Sequence, residues 1–467
     1  MTNDTIASIS TALSESGIGI IRISGPEAIA KADKIYTDKT GSHTLSGYKS
    51  HTIHYGFIVN SSGDIIDEVM ISVMKSPNSY TKEDVVEINC HGGVRLCRNI
   101  LDTVLNTGVR LADPGEFTKR AFLNGRLDLT RAEAVMDTIR ASSDAALEQS
   151  VRQLRGDLYE LLNNICSEIL YEVARIEAAL DDPDVYDLTG YGDELLNKTD
   201  KIDSELERLI RSYDEGRILS EGIHTSILGN PNAGKSSLLN FLLGESRAIV
   251  TDIPGTTRDT LTETVRLDDI TIVLTDTAGI RETEDKIEQI GVDKALSSAS
   301  NADLIIYMAD ATSDLPSDDP AVSDILKEKK CIYLLNKNDI TDITEDNIEE
   351  IKNKLKESGI TPSAVISTSM KTGEGISELK SCIRELFYKG DLESDHQIII
   401  TNLRHIGSLK KAKDSLEKVR ASIGAGVSED LYCIDLTDAY RALAEITGAE
   451  VTEDIVDQIF SKFCMGK

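Results

Sequence analysis

The sequence predicts an α/β and α multidomain protein: a small mixed α/β domain, then a helical domain interrupted by an inserted α/β domain. Three observations predict it. Short Ile- and Val-rich segments crowd the chain from Asp4 to about Leu111. Apolar residues then fall at steps of three and four, first beyond Thr130 and again after Asp391. Between Ile218 and about Phe387, strand-like and helix-like segments alternate, as they do in a parallel sheet with crossover helices. The expected domain boundaries are 1–120, 121–217, 218–387 and 388–467.

Taken in order, "TIASIST", "GIGIIRIS", "HTIHYGFIV", "EVMISVMK" and "DVVEINC" read as strands, with "NSSGDIID" joining the third to the fourth as a hairpin-type link. "VRLCRNILDTVLNTG" has helical apolar spacing and a glycine stop at Gly108. Past "NGRLDL", Thr130 and Glu133 form a capping-box pattern. From Leu147, the positions Val151, Leu154, Leu158, Leu161, Ile165, Ile169, Val173, Ile176 and Leu180 predict one long helix with a single buried stripe, ended by Pro183. "DELLNKTDKIDSELERLIRSYDEGR" carries helix to Gly216. Helices resume in "TNLRHIGSLKKAKDSLEKVRASI", "DLYCIDLTDAYRALAEITG" and "EDIVDQIFSKF". Helices on both sides of the α/β block predict one helical domain with another inserted into it, which close surface termini permit.

Composition excludes several function classes. Among 467 residues, 40% hydrophobic and 28% charged describe an ordinary folded protein of several domains. A formal net charge of −30 leaves no overall basic field to grip nucleic acid, so RNA would be handled by a local patch or a basic partner. "MTNDTIASIS" has no signal-peptide pattern, and no apolar run approaches the roughly 20 residues of a membrane span. Seven scattered cysteines without a CxxC pair signal neither a zinc site nor a disulfide framework, and predict a reduced, cytoplasmic protein. "HGG" at His91 invites an oxyanion-loop reading, but no G-x-S-x-G accompanies it.

The chemistry lies in the inserted block. "ILGNPNAGKSSLLN" follows strand-like "HTSIL" and opens a helical pattern; Gly229, Gly234, Lys235 and Ser236 fit G-x-x-x-x-G-K-[ST]. On this loop, which also carries Asn232, Ala233 and Ser237, backbone N–H groups face phosphate oxygens, Lys235 reaches the β/γ-phosphates and Ser236 ligates Mg²⁺. "DTAG" (Asp276, Thr277, Ala278, Gly279) follows apolar "ITIVLT" and places a carboxylate near Mg²⁺ and the γ-phosphate. Between the two lies "TDIPGTTRD", with Thr251, Asp252, Ile253, Pro254, Gly255, Thr256 and Thr257, where Thr257 can close as a switch. "NKND" (Asn336, Lys337, Asp339) follows "CIYLL", and the Asp339 carboxylate matches two adjacent N–H donors that guanine has and adenine lacks. Four motifs in order predict a Ras-like P-loop GTPase domain. Ile280 stands where Ras-like enzymes keep a water-orienting glutamine; Glu282, Glu284, Asp285 and Glu288 follow, and spacing prefers none of them.

With these motifs, "GIGIIRISG", "SYTKEDVVEINCHGG", "PGEFTKRAFLNGRLDLTRAEAV", "DTAGIRETEDKIEQIGV" and terminal "FCMGK" make the chain resemble the MnmE (TrmE) family of wobble-uridine tRNA modification GTPases over nearly its whole length. The resemblance implies an amino-terminal domain that binds tetrahydrofolate and dimerises the protein. It implies a homodimer working with a flavin-dependent partner of the MnmG (GidA) type, as a heterotetramer or larger complex. Together they add an aminomethyl-type (carboxymethylaminomethyl) group to carbon 5 of the wobble uridine of certain tRNAs, from a formyl- or methylene-tetrahydrofolate donor. The acidic balance fits a partner that carries much of the tRNA-binding surface. The resemblance further implies a K⁺ site from Asn232, the carbonyls of Thr251 and Ile253, and Thr256, a positive charge where other GTPases use an arginine finger. It assigns Mg²⁺ to Ser236 and Thr257, water positioning to Glu288, and folate binding to Arg22, Glu87, Arg126 and Lys467. Without the resemblance, Arg22 and Glu87 read as an ordinary cross-strand pair. Cys464 matches the family's Cys-x-Gly-Lys tail and has two readings, a thiol in the modification site or a small packed residue. "SMK" at Ser369 stands where the family has Ser-Ala-Lys, and Met465 is a volume-conserving exchange. A guanine-nucleotide switch without modification chemistry, and a scaffold that only activates the flavin partner, are the alternative readings.

Overall fold

The computed structural model describes residues 4–42, 45–186, 188–230, 232–245, 263–268, 270–275, 298–311, 320–341, 343–387, 398–464 and 466. The chain divides into two compact units. The first comprises Met1–Ile139, Ser150–Leu206 and Gly407–Lys467; the second comprises Arg140–Gln149 and Glu207–Ile406.

The first unit holds a sheet in the order β3-β4-β5-β6-β2-β1-β7. Its strands are β1 (Ile6–Ile9), β2 (Gly19–Ser24), β3 (Tyr36–Thr37), β4 (Thr52–Val59), β5 (Ile65–Met74), β6 (Val85–Cys90) and β7 (Arg110–Leu111). All neighbours pair antiparallel except β1 and β7. Period-two patterning gives the sheet two unlike faces. Ile21, Ile23, Ile71, Val73, Val86 and Ile88 are buried in one cluster with Ile100 and Val104 of helix Val94–Leu105. The residues between them, Arg22, Ser72 and Glu87, stand in register on the other face.

The helices that follow this sheet in the chain depart from the sequence reading at two places. The stripe beginning at Leu147 is carried by two helices, Asp144–Arg155 and Asp157–Asp181. Gly156 separates them at φ 106°, and the Arg131 guanidinium, which donates 2.9 Å to the Arg155 carbonyl, fills the space a side chain at 156 would need. Leu147, Leu154 and Leu180 are exposed, and Leu162 rather than Leu161 joins the buried stripe. The capping residue of helix Leu129–Arg140 is Asp128, whose carboxylate accepts from the Arg131 N–H at 3.0 Å; Thr130 lies inside the helix. Helix Asp157–Asp181 packs along Glu429–Thr447, and its buried Glu172 is paired with Lys198 at 2.6 Å and accepts from the Tyr191 hydroxyl at 2.9 Å.

The second unit contains a sheet in the order β13-β12-β11-β8-β10-β9, parallel except for β9 against β10. These strands are β8 (Ile223–Gly229), β9 (Glu263–Leu267), β10 (Ile270–Leu274), β11 (Leu304–Asp310), β12 (Lys330–Asn336) and β13 (Ala364–Thr368). Separate apolar clusters lie on its two faces, so its strands read as near-continuous apolar runs. Ile218 belongs to helix Tyr213–Glu221, and the first strand starts at Ile223. No helix among the described residues is long and apolar enough to cross a membrane.

A buried ion network ties the start of the first unit to helix Glu116–Leu123. Arg120, 7% exposed, binds Asp4 at 2.7 Å, Glu116 at 2.9 Å and Glu83 at 3.1 Å. Arg110 binds the other Asp4 oxygen at 2.6 Å and Glu116 at 2.5 Å. Burial alone would raise the Asp4 carboxyl, but hydrogen bonds and charge from Arg110 and Arg120 outweigh it and hold it at about 2, below its ordinary 3.8. A depressed folded-state pKa contributes stability above the unfolded value and loses it as pH falls through the folded one. The unfolding midpoint is therefore expected to drop between about pH 4 and pH 2, and Asp4→Asn, followed by circular dichroism across that range, is expected to flatten the drop.

Candidate guanine-nucleotide and folate sites

The phosphate loop is shaped by positions that exclude a side chain. Strand β8 ends at Gly229, φ 142°, where a Cβ would lie 2.1 Å from the Met308 carbonyl oxygen of β11. Gly234, φ 105°, has no room beside Asn336, whose Nδ2 would be 2.3 Å from a Cβ. Asn232 turns through φ 60° with its side chain exposed, and Ala233 is buried. Helix Lys235–Glu245 starts directly after this loop, so its N-terminal N–H groups and dipole favour an anion there. The Lys235 ammonium donates to the carbonyls of Gly229 and Asn230, each at 2.8 Å, and burial pushes its pKa down. Ser236 and Ser237 are exposed on the first turn.

The base-recognition end is joined to this loop through one carboxamide. Asn336, buried at the end of β12, donates from Nδ2 to the Ala233 carbonyl at 2.8 Å and accepts at Oδ1 from the Met370 N–H at 3.1 Å. Asn336 therefore holds the phosphate loop and the "SMK" loop in one frame. Met370 packs against the apolar cluster of the sheet, so the longer side chain is absorbed there. Lys337, at φ 76°, pairs with Asp310. Asp339 accepts from the buried Ser369 hydroxyl at 2.9 Å, and that hydroxyl accepts from the N–H groups of Lys371 and Thr372 at 3.3 Å. With its single proton spent on Asp339, Ser369 fixes the carboxylate that reads the base. Thr251 to Thr257, Asp276 to Gly279, Glu288 and Lys467 lie outside the described residues.

In the first unit, Arg22 and Glu87 are in contact. Arg22 Nε and Nη2 each lie 2.8 Å from Glu87 Oε1, while buried Arg22 Nη1 has no hydrogen-bond partner among the described residues. The Arg22 guanidinium lies 5.3 Å from the Tyr80 ring centre and 5.5 Å from that of Phe117. Arg126, on the turn after helix Glu116–Leu123, stacks 4.7 Å from the same Tyr80 ring. Two of the four folate candidates thus meet at a residue to which the sequence reading assigned no role, and Glu87 is joined to them through Arg22. Tyr80 lies in the segment "SYTKEDVVEINCHGG", where nothing in the spacing pointed to a role for it.

The carboxyl-terminal tail is folded back onto the same unit. Ser10 Oγ donates to the Gly466 carbonyl at 3.0 Å, and a Cβ on Gly466 (φ 85°) would fall 2.2 Å from the Ile9 carbonyl oxygen. Gly115 donates its N–H to the Cys464 carbonyl at 3.3 Å. The half-buried Cys464 packs against the apolar cluster formed by Leu129, Ala132, Met136, Val456, Phe460 and Phe463. The first turn of helix Glu116–Leu123 touches both places, since Gly115 meets the tail and Phe117 lies by Arg22.

A phosphate loop at the end of a central parallel strand, locked to an Asn-Lys-x-Asp segment, defines a guanine-nucleotide-binding protein of the P-loop class. A family model described as the TrmE N-terminus of a GTP-binding protein matches residues 5–126, and one described as the MnmE helical domain matches residues 129–464. Among curated relatives, a "tRNA modification GTPase MnmE" of Lachnoclostridium phytofermentans is 48% identical over 467 residues, covering 100% of both chains. Proteins of that name from Acetivibrio thermocellus and Bacillus subtilis are 46% and 45% identical, covering 99% of this chain and 99% and 100% of theirs. The chain belongs to the MnmE family of tRNA modification GTPases. It is a GTP hydrolase.

Two outcomes follow from this geometry. Asp339→Asn replaces an acceptor by a donor, so hydrolysis of GTP is expected to need roughly a hundredfold more nucleotide while xanthosine triphosphate, with a carbonyl in place of the amine, becomes a substrate. Gly466→Ala is expected to dislodge the tail at a cost of about 2 kcal/mol, detected as faster tryptic cleavage at Lys462.

Proposed function

We propose that this GTP hydrolase drives modification of carbon 5 of the wobble uridine in certain tRNAs, installing an aminomethyl-type (carboxymethylaminomethyl) group. It acts in the cytoplasm as a homodimer with a flavin-dependent partner of the MnmG type. Ser236 and Thr257 would hold Mg²⁺, and Asn232, Thr251, Ile253 and Thr256 would hold K⁺, which would supply positive charge where charge develops during hydrolysis; Glu288 orients the attacking water. Full-length likeness to the named tRNA modification GTPases carries the reading.

The folate part is supported by the hydrogen-bonding state of Arg22 and Glu87. Both Arg22 bonds go to Glu87 Oε1, so among the described residues Oε2 takes no hydrogen bond, and Arg22 Nη1 is a buried donor without an acceptor. An unspent acceptor and an unspent donor on one ion pair match the amide edge of a pterin, which offers N–H and C=O side by side. Arg22, Glu87, Arg126 and Lys467 would hold a formyl- or methylene-tetrahydrofolate, which supplies the one-carbon unit. Glu87 orients the ring, while the cations neutralise its carbonyl and glutamate tail. Cys464 is assigned to the modification site through the tail that Gly466 seats on β1.

Nucleoside mass spectrometry of tRNA from cells lacking the protein tests this. The aminomethyl-type uridine is expected to disappear, to return with the wild type, and to stay absent with Cys464→Ser expressed equally. Unchanged wobble uridine in the deletion strain overturns the proposed function, whereas rescue by the serine variant removes only Cys464 from the site. Hydrolysis by the purified protein is also expected to fall at least tenfold when Na⁺ replaces K⁺.

A further inference from the structure

The folate reading names cations and a carboxylate but leaves out what holds them in place. Arg126 is exposed, and its side chain makes no hydrogen bond or ion pair among the described residues; its partner is the face of Tyr80, at 4.7 Å. Arg22 lies 5.3 Å from the same ring. Two guanidinium groups repel each other, and a shared aromatic ring offsets that repulsion because the ring quadrupole attracts both.

The ring itself is fixed. The Tyr80 hydroxyl is 2.9 Å from Oγ1 of Thr118, a fully buried residue of helix Glu116–Leu123. The loop that carries Tyr80 is tied to the turn that carries Arg126 by Asn124 Nδ2 donating to the Thr81 carbonyl at 2.6 Å and Lys82 Nζ donating to the Gly125 carbonyl at 2.9 Å. The aromatic plane is therefore part of the scaffold, and the long, otherwise unpartnered Arg126 side chain is oriented against it. We propose that Tyr80 is a positioning residue of the folate site, setting the direction of Arg126 and of the unpartnered Arg22 Nη1. The inference rests on the folate reading and deepens it.

The test is equilibrium binding of 5-formyl-tetrahydrofolate to the full-length protein by titration calorimetry, with thermal midpoints measured in parallel. Tyr80→Leu removes the π face and is expected to weaken binding about tenfold. Tyr80→Phe keeps the face and is expected to bind within about twofold of wild type. Should the leucine variant not fold, Tyr80→Met, similar in bulk and without a π face, gives the same reading. A purely structural tyrosine would act independently of Arg126. A positioning one gives sub-additive losses when Tyr80→Leu is combined with Arg126→Ala. Wild-type affinity in Tyr80→Leu, or additive losses in the double variant, overturns the positioning role and leaves the folate site standing. Absence of binding by the wild type overturns both.

Discussion

The close approach of Gly466 to Ile9 is the constraint on which the arrangement of the first unit depends. With a hydrogen atom for a side chain, residue 466 lets the last residues lie against β1. Residues 407–467 belong to the unit that contains the first strand, where helix Glu429–Thr447 packs along Asp157–Asp181 and Gly466 meets Ile9, so a block of sequence in between can fold as a body of its own. The apolar cluster around Phe460 and Phe463 then closes over helix Leu129–Arg140 and places Cys464 beside it. A frayed terminus thereby becomes a defined surface.

Both candidate sites are organised by one side chain that bridges separate segments. In the second unit it is Asn336, whose carboxamide spans the phosphate loop and the "SMK" loop with one donated and one accepted hydrogen bond. In the first unit it is Tyr80, whose ring and hydroxyl meet Arg22, Arg126 and Thr118. A buried carboxamide fixes both loops through short directional bonds, which suits a site that reads a base. An aromatic ring takes up none of a cation's N–H donors, which suits the folate site proposed above.

The charge arrangement separates structural from binding roles. Arg120 and Arg110 are saturated by Asp4, Glu83 and Glu116, and the network that results joins the chain start to helix Glu116–Leu123. Arg22 and Arg126, a few ångströms from the same helix through Phe117 and Tyr80, keep donors free. Cations that support the fold are fully paired, and cations assigned to ligand are not.

The sequence by itself determined the order of strands and helices, the phosphate loop and the guanine-reading segment. Each rests on local periodicity or on residues close together in the chain, as with Gly229 to Ser236. It did not reveal the break at Gly156, because the apolar spacing runs on through it and the φ of 106°, which disfavours any side chain there, is set by the fold. Nor did it reveal Asp128 as the cap, since Thr130 offers an equally good local pattern. Tyr80 was invisible for a stronger reason. Its partners stand at positions 22, 118 and 126, and only the packing of a strand, a helix and a turn brings them to one ring. Tertiary structure decided where the tail lies and which arginines remain free to bind, because close approach and hydrogen-bond saturation are properties of neighbours in space.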